Sequence, residues 1–166
     1  MVMKWSRLII MMSIYMWIGF TCAISFMEAW LKFRAPGVSL PVGLGIGRLV
    51  FSALNKVEWG FVIVLTACFL FGEDRGLLTR MNLVLYIVIL LLLALETFWL
   101  LPRLDALAAV VISGEPVAPS RLHIYFVAAE LLKTLALLFL GAGLFRAFHL
   151  ADLKTVIPVS SPIKPD

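Results

Sequence analysis

From Leu8 to Met27 the chain runs for 20 residues without a charge. As a helix that run is about 30 Å long, the thickness of the hydrocarbon core of a bilayer. Lys4 and Arg7 precede it as the basic region of a secretory signal would. The apolar part of such a signal is only about 7 to 15 residues, however, and the one small-residue site nearby, Thr21-Cys22-Ala23, is weak. The run therefore reads as a transmembrane helix. Composition agrees: 63% of the 166 residues are hydrophobic and 14% charged, against roughly 45–50% and about 25% in soluble domains.

Three further segments reach bilayer length. The uncharged stretch Trp59 to Gly72 has 14 residues, about 21 Å, and is too short to cross alone. The second helix must extend back through Glu58, Lys56 and Asn55 to near Arg48. The third runs from Met81 to Leu101, contains Glu96 and meets Pro102, which can stop or kink it. The fourth runs from Leu122 to Phe145 and contains Glu130 and Lys133, with Ser120 placed to cap it. Between them lie the turn-forming strings RAPGVSLPVG, EDRGLLTR and GEPVAPS. RLDALAAVVIS is too short to span and reads as a continuation of the third helix or as an interfacial turn. The expected fold is an all-α polytopic membrane protein, an antiparallel bundle of four transmembrane helices (about 8–28, 48–72, 81–101 and 122–145). These helices form one domain over residues 1–150, followed by a Pro-rich tail over 151–166.

On this topology the acids coincide. Glu28 ends the first helix, Glu58 begins the second, Glu96 is near the end of the third and Glu130 lies in the first half of the fourth, so all four fall on one side of the membrane. Helical spacing gives each helix one polar stripe. Thr21, Ser25, Glu28 and Lys32 form the first, below Trp17. Arg48, Asn55 and Glu58 form the second, Glu96 and Arg103 the third, and His123, Glu130 and Thr134, flanked by Lys133, the fourth. Two acids and a lysine left facing lipid would cost on the order of 10 kcal/mol, so the stripes face inward. Expected pairs are Glu130 with Lys133, Glu96 with Arg103, Glu58 with Arg48 or Lys56, and Glu28 with Lys32. The candidate site is therefore Glu28, Asn55, Lys56, Glu58, Glu96, Arg103, His123, Glu130 and Lys133.

Three functions suit such a cluster. It can handle a proton, an ion or a small polar ligand, because intramembrane ionisable groups mark such pathways. It can be an ion-pair network that fixes helix packing in a structural or assembly subunit. Third, it can be a carboxylate/His metal centre of a membrane enzyme, with Glu28, Glu58, Glu96, His123 and Glu130 as the ligands. The metal match is poor: di-iron bundles use Glu-x-x-His pairs, whereas His123 and Glu130 are seven residues apart and His149 sits at the opposite end. No cofactor is predicted. GLGIG lacks the spacing and the strand of a dinucleotide site, and there is no Ser/His/Asp or Cys/His arrangement, so an enzyme is the least supported class. Cys22 and Cys68 read as small apolar packing residues, and Trp5, Trp30, Trp59 and Trp99 as interfacial anchors. The net charge of +4 is dispersed, which excludes nucleic acid as a partner. The expected partners are the lipid bilayer and either further copies or other subunits of a membrane complex.

Orientation follows from Lys and Arg. With the N-terminus inside, Lys4, Arg7, Arg75, Arg80, Arg146, Lys154 and Lys164 are cytoplasmic. Lys32, Arg34, Arg103 and Arg121 lie opposite, with Arg48 and Lys56 at the boundary. The balance places both termini in the cytoplasm.

The strings SFMEAWLKFRAPG, GRLVFSALNKVEW, LETFWLLPRLD and SRLHIYFVAAELLK together resemble uncharacterised four-span bacterial inner-membrane proteins. The resemblance covers most of residues 20–140. It implies a bacterial source and an inner-membrane location, and it brings no catalytic residue with it.

Overall fold

A computed structural model describes residues 5–72, 78–115 and 120–156, the last three as backbone only. The described residues form four long helices: α1, Trp5–Arg34; α2, Leu40–Phe71; α3, Arg80–Ile112; and α4, Leu122–Val156. Each is long and apolar enough to cross a membrane. The surface is that of a protein solvated by lipid: Ile63, Phe71, Leu91, Phe98, Phe139 and Phe145 are largely exposed, a pattern that water would penalise.

Successive helices are antiparallel neighbours, and α4 closes the square against α1. Along α1 and α2, Trp17 meets Glu58, and Lys32 lies beside Gly47. Along α3 and α4, Asn82 lies beside Gly143, and Glu96 meets Lys133. Between α4 and α1, Gly141 lets the helices approach until Ile14 Cγ2 would be 3.3 Å from an added Cβ. Where those helices meet, Ile14, Leu65, Ile89, Leu93, Leu137 and Leu140 are fully buried and form a continuous apolar plug.

Each helix differs from its expected limits in a way the sequence explains. α3 does not stop at Pro102. It passes through a π-helical segment, Glu96–Leu100, in which the Leu101 N–H reaches back to the Glu96 carbonyl. The wider turn makes room for the pyrrolidine ring, and RLDALAAVVI continues the same helix. α1 carries a second π segment, Cys22–Glu28, and finishes as a 3-10 turn, Lys32–Arg34. α2 begins at Leu40 with Pro41 in its first turn, where a missing N–H costs nothing. Ser120 Oγ accepts from the Leu122 N–H at 3.2 Å, capping α4. That helix runs to Val156, into the segment read as tail, because Ala151 and Leu153 are good helix formers and Arg7 holds Asp152 at 2.6 Å. The Pro-containing stretch 157–166 lies outside the described residues.

The plug should carry much of the stability. Leu137→Ala is expected to cost roughly 2–5 kcal/mol, read as a lowered midpoint of denaturant unfolding in detergent, whereas Phe139→Ala on the exposed face should leave the midpoint nearly unchanged.

Candidate functional site

Glu58, Glu96, Glu130 and Lys133 come from three helices and meet at one point. Each is at most 1% exposed. Lys133 Nζ lies 2.6 Å from Glu58 Oε1 and 3.2 Å from Glu130 Oε2, and it donates to Glu96 Oε2. The three carboxylates offer oxygens within 4.8 Å of one another, so the ammonium stands where any shared cation would stand. The remaining helix, α1, contributes neutral donors. Trp17 Nε1 gives a hydrogen bond to Glu58 Oε1 at 2.8 Å, and Thr21 Oγ1 approaches the same oxygen at 3.4 Å. Ser25 adjoins Glu130 without completing a hydrogen bond.

The acceptors are not all used. Glu96 Oε1 and Glu130 Oε2 are buried with no hydrogen bond among the described residues. The proximity of Lys133 to Glu130 Oε2 is thus an ion pair that lacks hydrogen-bond alignment. With all four groups ionised the centre carries three negative charges and one positive. Two uncompensated charges in a low-dielectric interior are expensive.

The centre is off the middle of the apolar runs. Thr21, Glu58, Glu96 and Lys133 lie 13 to 15 residues from Leu8, Gly72, Met81 and Arg146, about 20 Å along each helix. That leaves about 10 Å of a bilayer's 30 Å on the other side. On that nearer side a cleft of about 440 Å³ opens between α1, α2, α3 and the start of α4. Its rim holds Lys32, Arg48, Asp105 and His123, and its inner end Asn55 and Thr97. None of the four charged groups of the centre lines it.

Of the remaining expected site residues, Asn55 and His123 line this cleft, and Glu28, Lys56 and Arg103 do not. Glu28 pairs with Lys32 at 3.1 Å, as spacing indicated, and lies well above the buried centre. Asn55 Nδ2 donates to Thr97 Oγ1 at 2.9 Å. Lys56 is exposed, on the outer side of α2, where its long stem can carry the charge toward the interface. His123 lines the cleft and is exposed. Arg103 does not pair with Glu96; it lies over the Trp99 ring at 5.2 Å. Nor does Glu58 pair with Arg48 or Lys56. Arg48 makes a two-pronged ion pair with Asp105, 2.8 Å for Nη2 to Oδ2. Lys133 reaches the bundle axis and takes both acids, while Arg103 is seven residues, about 10 Å, from Glu96 along α3 and Arg48 is held by Asp105. The five-residue metal set is likewise split, since only Glu58, Glu96 and Glu130 converge.

Sequence spacing did not single out Asp105, Thr97 or the hydrogen-bonding role of Trp59. Trp59 Nε1 donates to Thr97 Oγ1 at 3.0 Å, so this ring points inward rather than serving only as an interfacial anchor. The one available signal was a Thr directly after a membrane-buried Glu.

Lys133→Met should strand three carboxylates and cost about 3–5 kcal/mol, lowering the thermal midpoint and the folded yield in detergent. Adding Glu58→Gln, Glu96→Gln and Glu130→Gln to that variant should recover about half of the loss or more. Failure to recover would show that the charge of Lys133 is not what the carboxylates require. No protein-family model, curated protein or solved structure matches the chain.

Proposed function

We propose that this membrane protein takes up and releases protons at the Glu58–Glu96–Glu130–Lys133 centre, from one face of the bilayer, as a proton-coupled transporter or sensor. The observation that carries the reading is the charge count: three carboxylates converge on one fully buried ammonium, leaving two negative charges to be balanced. Protons on carboxyl groups balance them without extra volume. A metal ion would have to displace Lys133 Nζ from among the same oxygens, so in this reading the centre binds no metal.

Access is one-sided. The cleft ends beside Asn55 and Thr97, three residues from Glu58 and one from Glu96, whereas the opposite side is closed by Ile14, Leu65, Ile89, Leu93, Leu137 and Leu140. A single bundle in this conformation loads from the cleft alone. Transport would need rearrangement of the plug or a path built between copies; sensing needs neither. The resemblance and the Lys/Arg balance support placing the protein in a bacterial inner membrane with both termini cytoplasmic, so that the cleft faces away from the cytoplasm. A purely structural role, as an assembly subunit, is favoured by one specific feature: the cleft stops short of the charges.

Glu130→Gln separates the two readings. In proteoliposomes, infrared difference spectra after a pH step should show a change in carboxyl protonation, and Glu130→Gln and Glu96→Gln should each remove about half of it while folded yield and oligomeric state are retained. Loss of folded protein instead would support the structural role. Elemental analysis of the purified protein, with the Glu96→Gln/Glu130→Gln double variant as control, tests the metal reading: a near-stoichiometric metal lost in the variant would overturn the proposal.

A further inference from the structure

Between the cleft and the buried centre stands a single hydrogen-bonded junction. Thr97 Oγ1 accepts from Asn55 Nδ2 at 2.9 Å and from Trp59 Nε1 at 3.0 Å, both on α2. It donates to the Leu93 carbonyl at 2.7 Å, one turn back on α3. The hydroxyl thus uses its one proton and both lone pairs. On one side of this junction Asn55 and Thr97 line the cleft; on the other, Glu58 follows Asn55 by three residues and Glu96 precedes Thr97 directly.

The junction also sits on the least regular part of α3. Glu96 and Thr97 are the first two residues of the π segment that ends at Leu100, and Pro102 follows. π segments and prolines are where helices bend. A movement that breaks the bonds of Thr97 therefore shifts the Glu96 backbone as well, and with it the carboxylate held by Lys133.

We infer, on the reading that the centre exchanges protons with the cleft, that Thr97 is a positioning residue: its hydroxyl latches α3 to α2, keeps cleft water away from the carboxylates, and sets how fast protons reach them. The groups facing the centre are Glu58 from α2, Glu96 from α3, and Glu130 and Lys133 from α4, while α1 presents Trp17, Thr21 and Ser25, none of which titrates. Lys32 with Glu28 and Arg48 with Asp105 are paired at the rim, and His123 stands there with them. Among the described residues that line the cleft between its rim and its inner end none titrates, so in this reading water carries the proton there. Thr97→Val keeps the side-chain shape and leaves Asn55 Nδ2 and Trp59 Nε1 without their acceptor. Unpaired donors in a partly buried position recruit water, and that water comes from the cleft.

The Trp17 indole N–H reports on the far side, because the ring is fully buried and bonded to Glu58. Its hydrogen–deuterium exchange, followed by NMR on protein with labelled tryptophan in nanodiscs, should be slow in the native chain. In Thr97→Val it should be about tenfold faster, while Thr97→Ser, which keeps the hydroxyl, should match the native rate. In the infrared pH-step experiment the same Thr97→Val change should speed the carboxyl response without altering its final amplitude. Unchanged Trp17 exchange in Thr97→Val, or equal acceleration in Thr97→Val and Thr97→Ser, would overturn the latch. Should Thr97→Val fail to fold, Trp59→Phe removes one donor and keeps the ring; it should accelerate Trp17 exchange in the same direction by less, and no acceleration there counts against the latch. A carboxyl signal insensitive to pH in every variant would remove proton exchange but leave the Trp17 result standing, so the two ideas fail separately.

Discussion

Lys133 is the group on which the arrangement of the four helices depends. Its ammonium is fully buried and draws Glu58, Glu96 and Glu130 to it from three directions, while Trp17 and Thr21 bring α1 to the same carboxylate. In lipid the apolar surfaces of helices gain little from meeting one another, so packing detail and polar contacts decide which faces associate. A helix whose carboxylate turned outward would lose its counter-charge and face hydrocarbon. The rotation of α2, α3 and α4 about their own axes is fixed by that penalty, and the apolar plug of Ile14, Leu65, Ile89, Leu93, Leu137 and Leu140 completes the bundle on the side away from the charges.

The depth of the centre follows from the same constraint. Each helix is longer than a bilayer needs, between 30 and 33 residues over its apolar span, about 45–50 Å. The surplus carries the cleft. Gly43 and Gly47 let Phe33 and Lys32 lie against α2, since an added Cβ at either position would collide with them. The ammonium of Lys32 rests over Phe51 at 5.2 Å and over Phe33 at 5.5 Å. Those close contacts wall the cleft with aromatic rings while leaving polar groups at its two ends. The result is polar near one face and dry toward the other.

Much of this was legible in the residues. Run lengths gave four spans, and the i, i+3, i+4 rows put Glu58, Glu96, Glu130 and Lys133 on inward stripes. Local spacing also gave Glu28 with Lys32 and Glu130 with Lys133, pairs within one helical turn. It failed for pairs further apart. Glu96 and Arg103 share a stripe of α3, yet seven residues put about 10 Å between them, and Arg103 lies over the Trp99 ring instead. Arg48 and Asp105 are 57 residues apart, and nothing in a single sequence joins two positions on different helices. The continuation of α3 through Pro102 was one of two readings of RLDALAAVVIS, and the sequence did not choose between them because the π turn that carries the helix past the proline has no periodic signature of its own. For the same reason Thr97, lying within that turn, looked like an ordinary residue of a membrane helix.

In the proton-exchange reading proposed above, the charge count sets this centre apart from one built only to hold helices together. One Glu–Lys pair is enough to specify which faces meet, and a well-packed apolar replacement is often no less stable. Here a second and a third carboxylate are added with no further cation among the described residues at the centre, and two of their oxygens, Glu96 Oε1 and Glu130 Oε2, are left without a hydrogen bond. Glu96 ties α3 to Lys133, but Glu130 lies on the same helix as Lys133 and joins no further helix, so its charge raises the cost of folding without adding to register. The added carboxylates make sense if the missing positive charge arrives from outside and leaves again. In that reading a cleft lined by Thr97, one residue from Glu96, is the route for that charge, and the saturated Thr97 hydroxyl is the point at which it is held back.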